Sequence, residues 1–161
     1  MLQAYNMKHL GFTIVELVVV MIITVVLAAV AVPRFFVTQQ YRDRGFYDQA
    51  LAITRYAQKN AIALRRNLCV NIVSSTLSIN LTYASAAGSS SACDTNLPSP
   101  VAGTAPFTVT AQTGVTLSSS STPIIFTALG SVSSAGATNT ITVSSRIITV
   151  VTNTGYVSGV Q

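Results

Sequence analysis

The run Phe12–Val32, FTIVELVVVMIITVVLAAVAV, constrains this chain more than any other part of it. As a helix rising about 1.5 Å per residue it would be roughly 30 Å long, the thickness of a bilayer's hydrocarbon core. Ahead of it stands a short, polar, slightly basic stretch, MLQAYNMKHLG. A Lys8 on the inner side agrees with the positive-inside tendency and sends the remainder of the chain outward. Two readings compete. In one, the run is a secretory signal cut off after Ala29-Val30-Ala31. In the other, the helix is retained and the cut falls before it, at Gly11–Phe12. Glu16 decides for the second. A carboxylate within an apolar run costs on the order of a few kcal/mol on insertion scales. A disposable signal gains nothing from that cost, whereas a retained helix can use the group with a partner.

The remainder separates into two compositions. Only 8% of the 161 residues are charged, and after Asp94 the single charged residue is Arg146. The C-terminal half is Ser, Thr, Ala, Val and Ile with scattered Gly, which suits strands and exposed loops. The length allows one modest domain plus an accessory segment.

Catalysis and metal binding have no material. The only histidine is His9, and beyond Glu16 the acids are Asp43, Asp48 and Asp94. No nucleophile–base pair and no phosphate-cradling glycine loop can be assembled from them. The expectation is therefore no catalytic residue, no metal and no cofactor. The two cysteines, Cys69 and Cys93, form no metal-ligand pattern. In a domain outside the cytoplasm they read as a structural disulfide.

Gly11 to Leu17, G-F-T-I-V-E-L, resembles the class III leader and mature start of type IV pilins and type II secretion pseudopilins. The resemblance implies that a prepilin peptidase cuts after Gly11 and methylates the new N-terminus at Phe12. Glu16 then becomes the fifth mature residue and Pro33 the twenty-second, matching the family's glutamate and its frequent helix-bending proline. Translation starting at Met7 instead of Met1 would leave the leader MKHLG. An amine and a carboxylate are each costly in hydrocarbon and much less so when paired. Glu16 points about one helical turn away from its own N-terminus. The resemblance therefore implies pairing with a neighbouring subunit's Phe12 amine, which would set the axial register of an open helical assembly.

Past Pro33, which removes a backbone donor and is expected to kink or locally open the helix, helical periodicity continues. Phe46, Ala50, Ile53, Ala57, Ala61 and Leu64 recur at three- and four-residue steps and form an apolar stripe suited to lying on a sheet. Asp48, Arg55, Lys59 and Arg66 follow another face. Gly45 is placed to loosen the helix. Phe35, Phe36, Tyr41, Phe46 and Tyr47 are assigned to the membrane interface and to helix packing. Arg55, Lys59 and Arg66 are the weak candidates for nucleic-acid or subunit contact; dispersed cations without interleaved aromatics favour a solvated or subunit-facing surface.

Leu68–Val73 and Leu77–Tyr83 flank Ser74-Ser75-Thr76 and read as a hairpin. Residues 84–106, rich in Ser, Gly, Ala and Pro, read as a long loop that Cys93 would tie back to Cys69. Further strands are expected at Phe107–Ala111, Pro123–Phe126, Thr140–Ser144, Ile147–Val151 and near Tyr156-Val157, with a turn at Asn153-Thr-Gly155. A helix followed only by strands argues α+β, a long helix packed on an antiparallel sheet. The expected division is a leader over 1–11, a transmembrane and filament-core helix over 12–33, an amphipathic helix over 34–66 and a β-rich domain over 67–161.

Ile124–Gly130, Thr140–Val143, Ile147–Val150 and Thr154–Val157 resemble the C-terminal strands of GspH/FimT-type minor pilins and pseudopilins. Arg44–Asp48 and Arg55–Lys59 are similar to minor subunits of mannose-sensitive haemagglutinin (MSHA) pili. These resemblances imply a structural minor subunit. Its partners would be other pilin or pseudopilin subunits, the prepilin peptidase, an inner-membrane assembly platform with its ATPase, and the lipid bilayer. The chain would sit in a bacterial inner membrane with its domain in the periplasm, then in a pilus or pseudopilus. Alternative roles are a DNA-binding minor pilin for DNA uptake and a type II secretion minor pseudopilin. Some FimT-type members bind DNA through a basic G-R-x-R motif; here that region reads Gly155-Tyr-Val-Ser-Gly159, without a cation, which weakens the DNA role.

Overall fold

The computed structural model describes residues 12–86, 93–134 and 136–160, apart from the side chains of residues 30 and 32–37. The chain divides into two units, Met1–Thr38 and Gln39–Gln161. One helix, α1 (Ile14–Leu64), has residues in both.

Both ends of α1 have identifiable stops. Thr13 is its N-cap: the Glu16 amide donates to Thr13 Oγ1 at 3.2 Å, and the Leu17 amide donates to the Thr13 carbonyl at 3.2 Å. The first bond takes up a donor that the first turn leaves without an intrahelical acceptor, and the second is the first i→i−4 bond of the helix. At the other end the Arg66 amide donates to the Ala61 carbonyl and the Arg65 amide to the Ile62 carbonyl. This is the paired bonding of a Schellman motif, with Arg65 in the left-handed position at φ 53°. Glycine is the usual residue there, because a side chain costs about 1–2 kcal/mol in that conformation. The helical backbone passes through position 33 without interruption, so no break in secondary structure marks the expected bend.

Among the described residues nine strands follow: β1 (Leu68–Val73), β2 (Ser78–Tyr83), β3 (Thr95–Asn96), β4 (Thr108–Thr110), β5 (Leu117–Ser119), β6 (Ile124–Phe126), β7 (Thr138–Val143), β8 (Arg146–Val151) and β9 (Val157–Val160). They form two antiparallel sheets where the sequence suggested one. The first runs β3-β2-β1-β6, with β4 pairing a different stretch of β2. The second runs β5-β7-β8-β9. Strands β3 and β5 were not expected. They are only two and three residues long, too short to carry a period of their own. Leu77, expected to open the second strand, instead closes the preceding turn at φ 48°.

A single core joins α1 to both sheets. Phe46, Tyr47, Ala50, Ile53, Ala57 and Ala61 pack with Val70, Ile72, Ile79 and Leu81 of the first sheet and with Ile141, Val143, Ile148 and Val150 of the second. The three alanines are fully buried, and their small side chains let the helix approach closely. The stripe ends earlier than its periodicity implies. Leu64 is exposed, because the helix stops there and Leu68 of β1 takes over as the next buried residue.

Side chains on α1 hold the turns of the second sheet. Asp43 accepts at Oδ1 from the Ser144 hydroxyl at 2.9 Å, at the β7–β8 turn, and from Gln39 at 3.0 Å. The Tyr47 hydroxyl donates to the Val160 carbonyl at 3.3 Å, and burial pushes its pKa above the usual 10.0. Gln58 donates to the carbonyls of Gly130 and Thr154 at 3.3 and 3.1 Å. Gly155, at φ 64°, closes the turn after β8; a Cβ there would run into the Gly130 carbonyl. A disulfide links Cys69 in β1 to Cys93, with Cα atoms 6.0 Å apart.

Candidate assembly site

Among the described residues, the N-terminal unit presents an exposed apolar helix surface. Every large apolar side chain from Phe12 to Leu27 is at least 47% exposed. Aliphatic side chains surround the helix, so it has no polar stripe to turn towards water. Glu16 is the only acid in the first turn, where a negative charge is favoured by the helix dipole. It stands three residues after Thr13, the T-x-x-E spacing of a capping box. Thr13 therefore belongs to this site. Its signal was present in the sequence, immediately ahead of the apolar run.

Among the described residues no helix is long and apolar enough to cross a membrane. The described side chains of the apolar run reach Ala29, include Ala31, and omit Val30 and Val32. Gly11, expected at the cleavage site, lies outside the described residues, as do the side chains of Pro33, Phe35 and Phe36.

The candidate cations do not form one patch. Arg55 and Lys59 are exposed one turn apart on the same side of α1. The Arg55 Nε and Nη2 both donate to the Val157 carbonyl at 3.3 Å, so this guanidinium is fastened beside the start of β9. Arg66 lies beyond the helix end. It donates to the Ser85 carbonyl and stands 5.9 Å from the centre of the Tyr83 ring. There it helps hold the chain where it leaves β2. Asp94 completes that anchor by accepting from the Ser85 amide at 2.9 Å and the Ser85 hydroxyl at 2.7 Å. The Ser85 hydroxyl, then its amide and the Thr95 hydroxyl, hold the Asp94 pKa below the ordinary 3.8. Among the described residues no three His, Cys, Asp or Glu side chains gather where a metal could bind.

A family model described as the prokaryotic N-terminal methylation motif matches residues 6–32. No curated protein matches the sequence. Two crystal structures of the type IV minor pilin FimU from Pseudomonas aeruginosa strain PAO1 are similar in fold. In space group P21 the TM-score is 0.55 at 14% identity, over 77% of this chain and 92% of that one. In space group P65 it is 0.50 at 15% identity, over 76% and 92%. The chain thus carries a prokaryotic N-terminal methylation motif, and its α+β fold is similar to that of a type IV minor pilin.

Proposed function

We propose that this chain is a minor type IV pilin or pseudopilin, a structural subunit that joins a fibre through its N-terminal helix. The observation that carries this reading is the methylation motif at the head of a helix whose described large apolar side chains are exposed. In this reading residues 1–11 are the leader, and a prepilin peptidase cuts at Gly11–Phe12 and methylates Phe12. The sequence remains apolar through Val32, so the helix is proposed to rest in the inner membrane before assembly. Glu16 would pair with the Phe12 amine of a neighbouring subunit, and Pro33 would bend the helix at the end of the apolar run. The domain would lie in the periplasm, to be taken up by an assembly platform and packed among other pilin subunits.

A Glu16→Gln variant tests this reading. The variant keeps the side chain's shape and removes the charge. Sheared fibres should contain at least tenfold less of the variant than of the wild type, while the membrane fraction retains it. Equal incorporation would overturn the assigned role of Glu16. Purification of the fibre with its associated proteins would separate a pilus from a secretion pseudopilus. The region Gly155–Gly159 carries no cation, which weighs against DNA as the main ligand.

A further inference from the structure

Three exposed apolar side chains stand on α1 and on turns held close to its C-terminal end. Leu129 is 91% exposed, Tyr156 62% and Ile62 49%. Their backbones are tied to the helix. Gln58 bonds the carbonyls of Gly130 and Thr154, and Gly130 fits against Ile62 so closely that a Cβ there would lie 2.7 Å from the Ile62 Cδ1. Tyr156 is followed by Val157, whose carbonyl holds the Arg55 guanidinium. Lys59 is one turn from Arg55 on the helix. The result is an apolar centre on hydrogen-bonded turns with two cations at its margin. Apolar and aromatic centres with polar rims are the composition of protein contact surfaces. Preformed geometry also lowers the ordering cost of binding.

Charge decides what fits there. Beyond position 38 the chain has seven Lys or Arg residues and three acids. Asp43 and Asp94 accept bonds from Ser144 and Ser85 and keep their charge, and Asp48 lies on the same helix face as Arg55 and Lys59. The excess of cations nevertheless leaves a second copy net positive, so this cationic margin disfavours it. We propose that the face made by Arg55, Lys59, Ile62, Leu129 and Tyr156 docks a different subunit, one that presents carboxylates around an apolar contact. This inference rests on the filament-subunit reading above and names the chemistry of the neighbour.

A photo-crosslinking amino acid placed in the full chain at Leu129, and separately at Val18, tests it in cells that assemble the fibre. Leu129 should crosslink to a non-identical subunit through a peptide containing carboxylates. Lys59→Glu should reduce that product at least tenfold, and reversing a carboxylate on the partner should restore it. The Val18 crosslink should be unaffected by Lys59→Glu. A Leu129 product with a second copy, with nucleic acid or with lipid would overturn the inference, as would a partner product insensitive to Lys59→Glu. Subunit crosslinks from Val18 with none from Leu129 would overturn the inference and leave the filament reading standing. Crosslinks to other subunits from neither position would overturn both.

Discussion

The two parts of α1 are built from different apolar patterns and satisfied in different ways. Between Ile14 and Leu27 the residues are mostly Val, Ile and Leu on all sides, and none of the large ones is buried. Between Phe46 and Ala61 the apolar residues keep to one side, three of them are alanine, and the stripe is buried under both sheets. The later part is amphipathic and finds its cover within the chain. The earlier part has no polar side, and in the proposed reading it finds its cover in lipid or in other subunits. The contrast shows that hydrophobicity alone does not make a core; its angular distribution decides whether the partner is internal.

The strongest way to break this comparison is one truncation in each part. Tyr47→Ala removes a buried ring and its bond to Val160. It should destabilise the sheet domain by about 3–5 kcal/mol, read from urea unfolding of the detergent-held chain. Val19→Ala should move the same transition by less than about 0.5 kcal/mol. Comparable losses from both would show that the early part of the helix has internal partners after all.

Replacing Cys69 and Cys93 together by serine comes next. The cysteines are 24 positions apart, and the chain-entropy treatment gives a loss of about 3 kcal/mol for a loop of that order. Reductant should lower the unfolding midpoint of the wild type and leave that of the double variant unchanged.

Two replacements on the helix should stabilise. A Cβ at Gly45 would have nothing within 4 Å, so Gly45→Ala should add about 0.5–1 kcal/mol. Arg65→Gly should relieve the left-handed backbone at the helix end, by up to about 1 kcal/mol. If Gly45→Ala stabilises the isolated subunit yet reduces its entry into fibres, that glycine serves subunit packing.

The smallest effect is on the acid side. The Asp94 carboxyl is held below 3.8 in the folded chain, so its stabilising contribution is present above that value. It should fade as pH falls through the depressed pKa. Asp94→Asn should flatten the fall of the unfolding midpoint below pH 3.8. An unchanged slope would remove Asp94 from the anchor of the 85–94 segment.

Much of this was legible in the sequence because it was carried by period. The apolar run, the stripe through Ala50 and Ala57, and the alternating strands β1, β2, β7 and β8 all show in residue spacing. Strands β3 and β5 did not, since two or three residues contain no period and their pairing is set by β2 and β7. The end of the helix was also hidden: Arg65 occupies a position where glycine would have signalled the stop. At the candidate site, Glu16 and its spacing were evident, while Thr13 went unnoticed as its cap. The docking face was not legible at all, because Ile62, Leu129 and Tyr156 are brought together only by Gln58 and two glycine turns.

The central claim is that the first part of α1 is kept in the mature chain for assembly. Intact mass and N-terminal sequencing of the protein recovered from membranes test it most directly. The account predicts a chain that begins at Phe12 with a methylated amine. A chain that begins after Ala31 would contradict it.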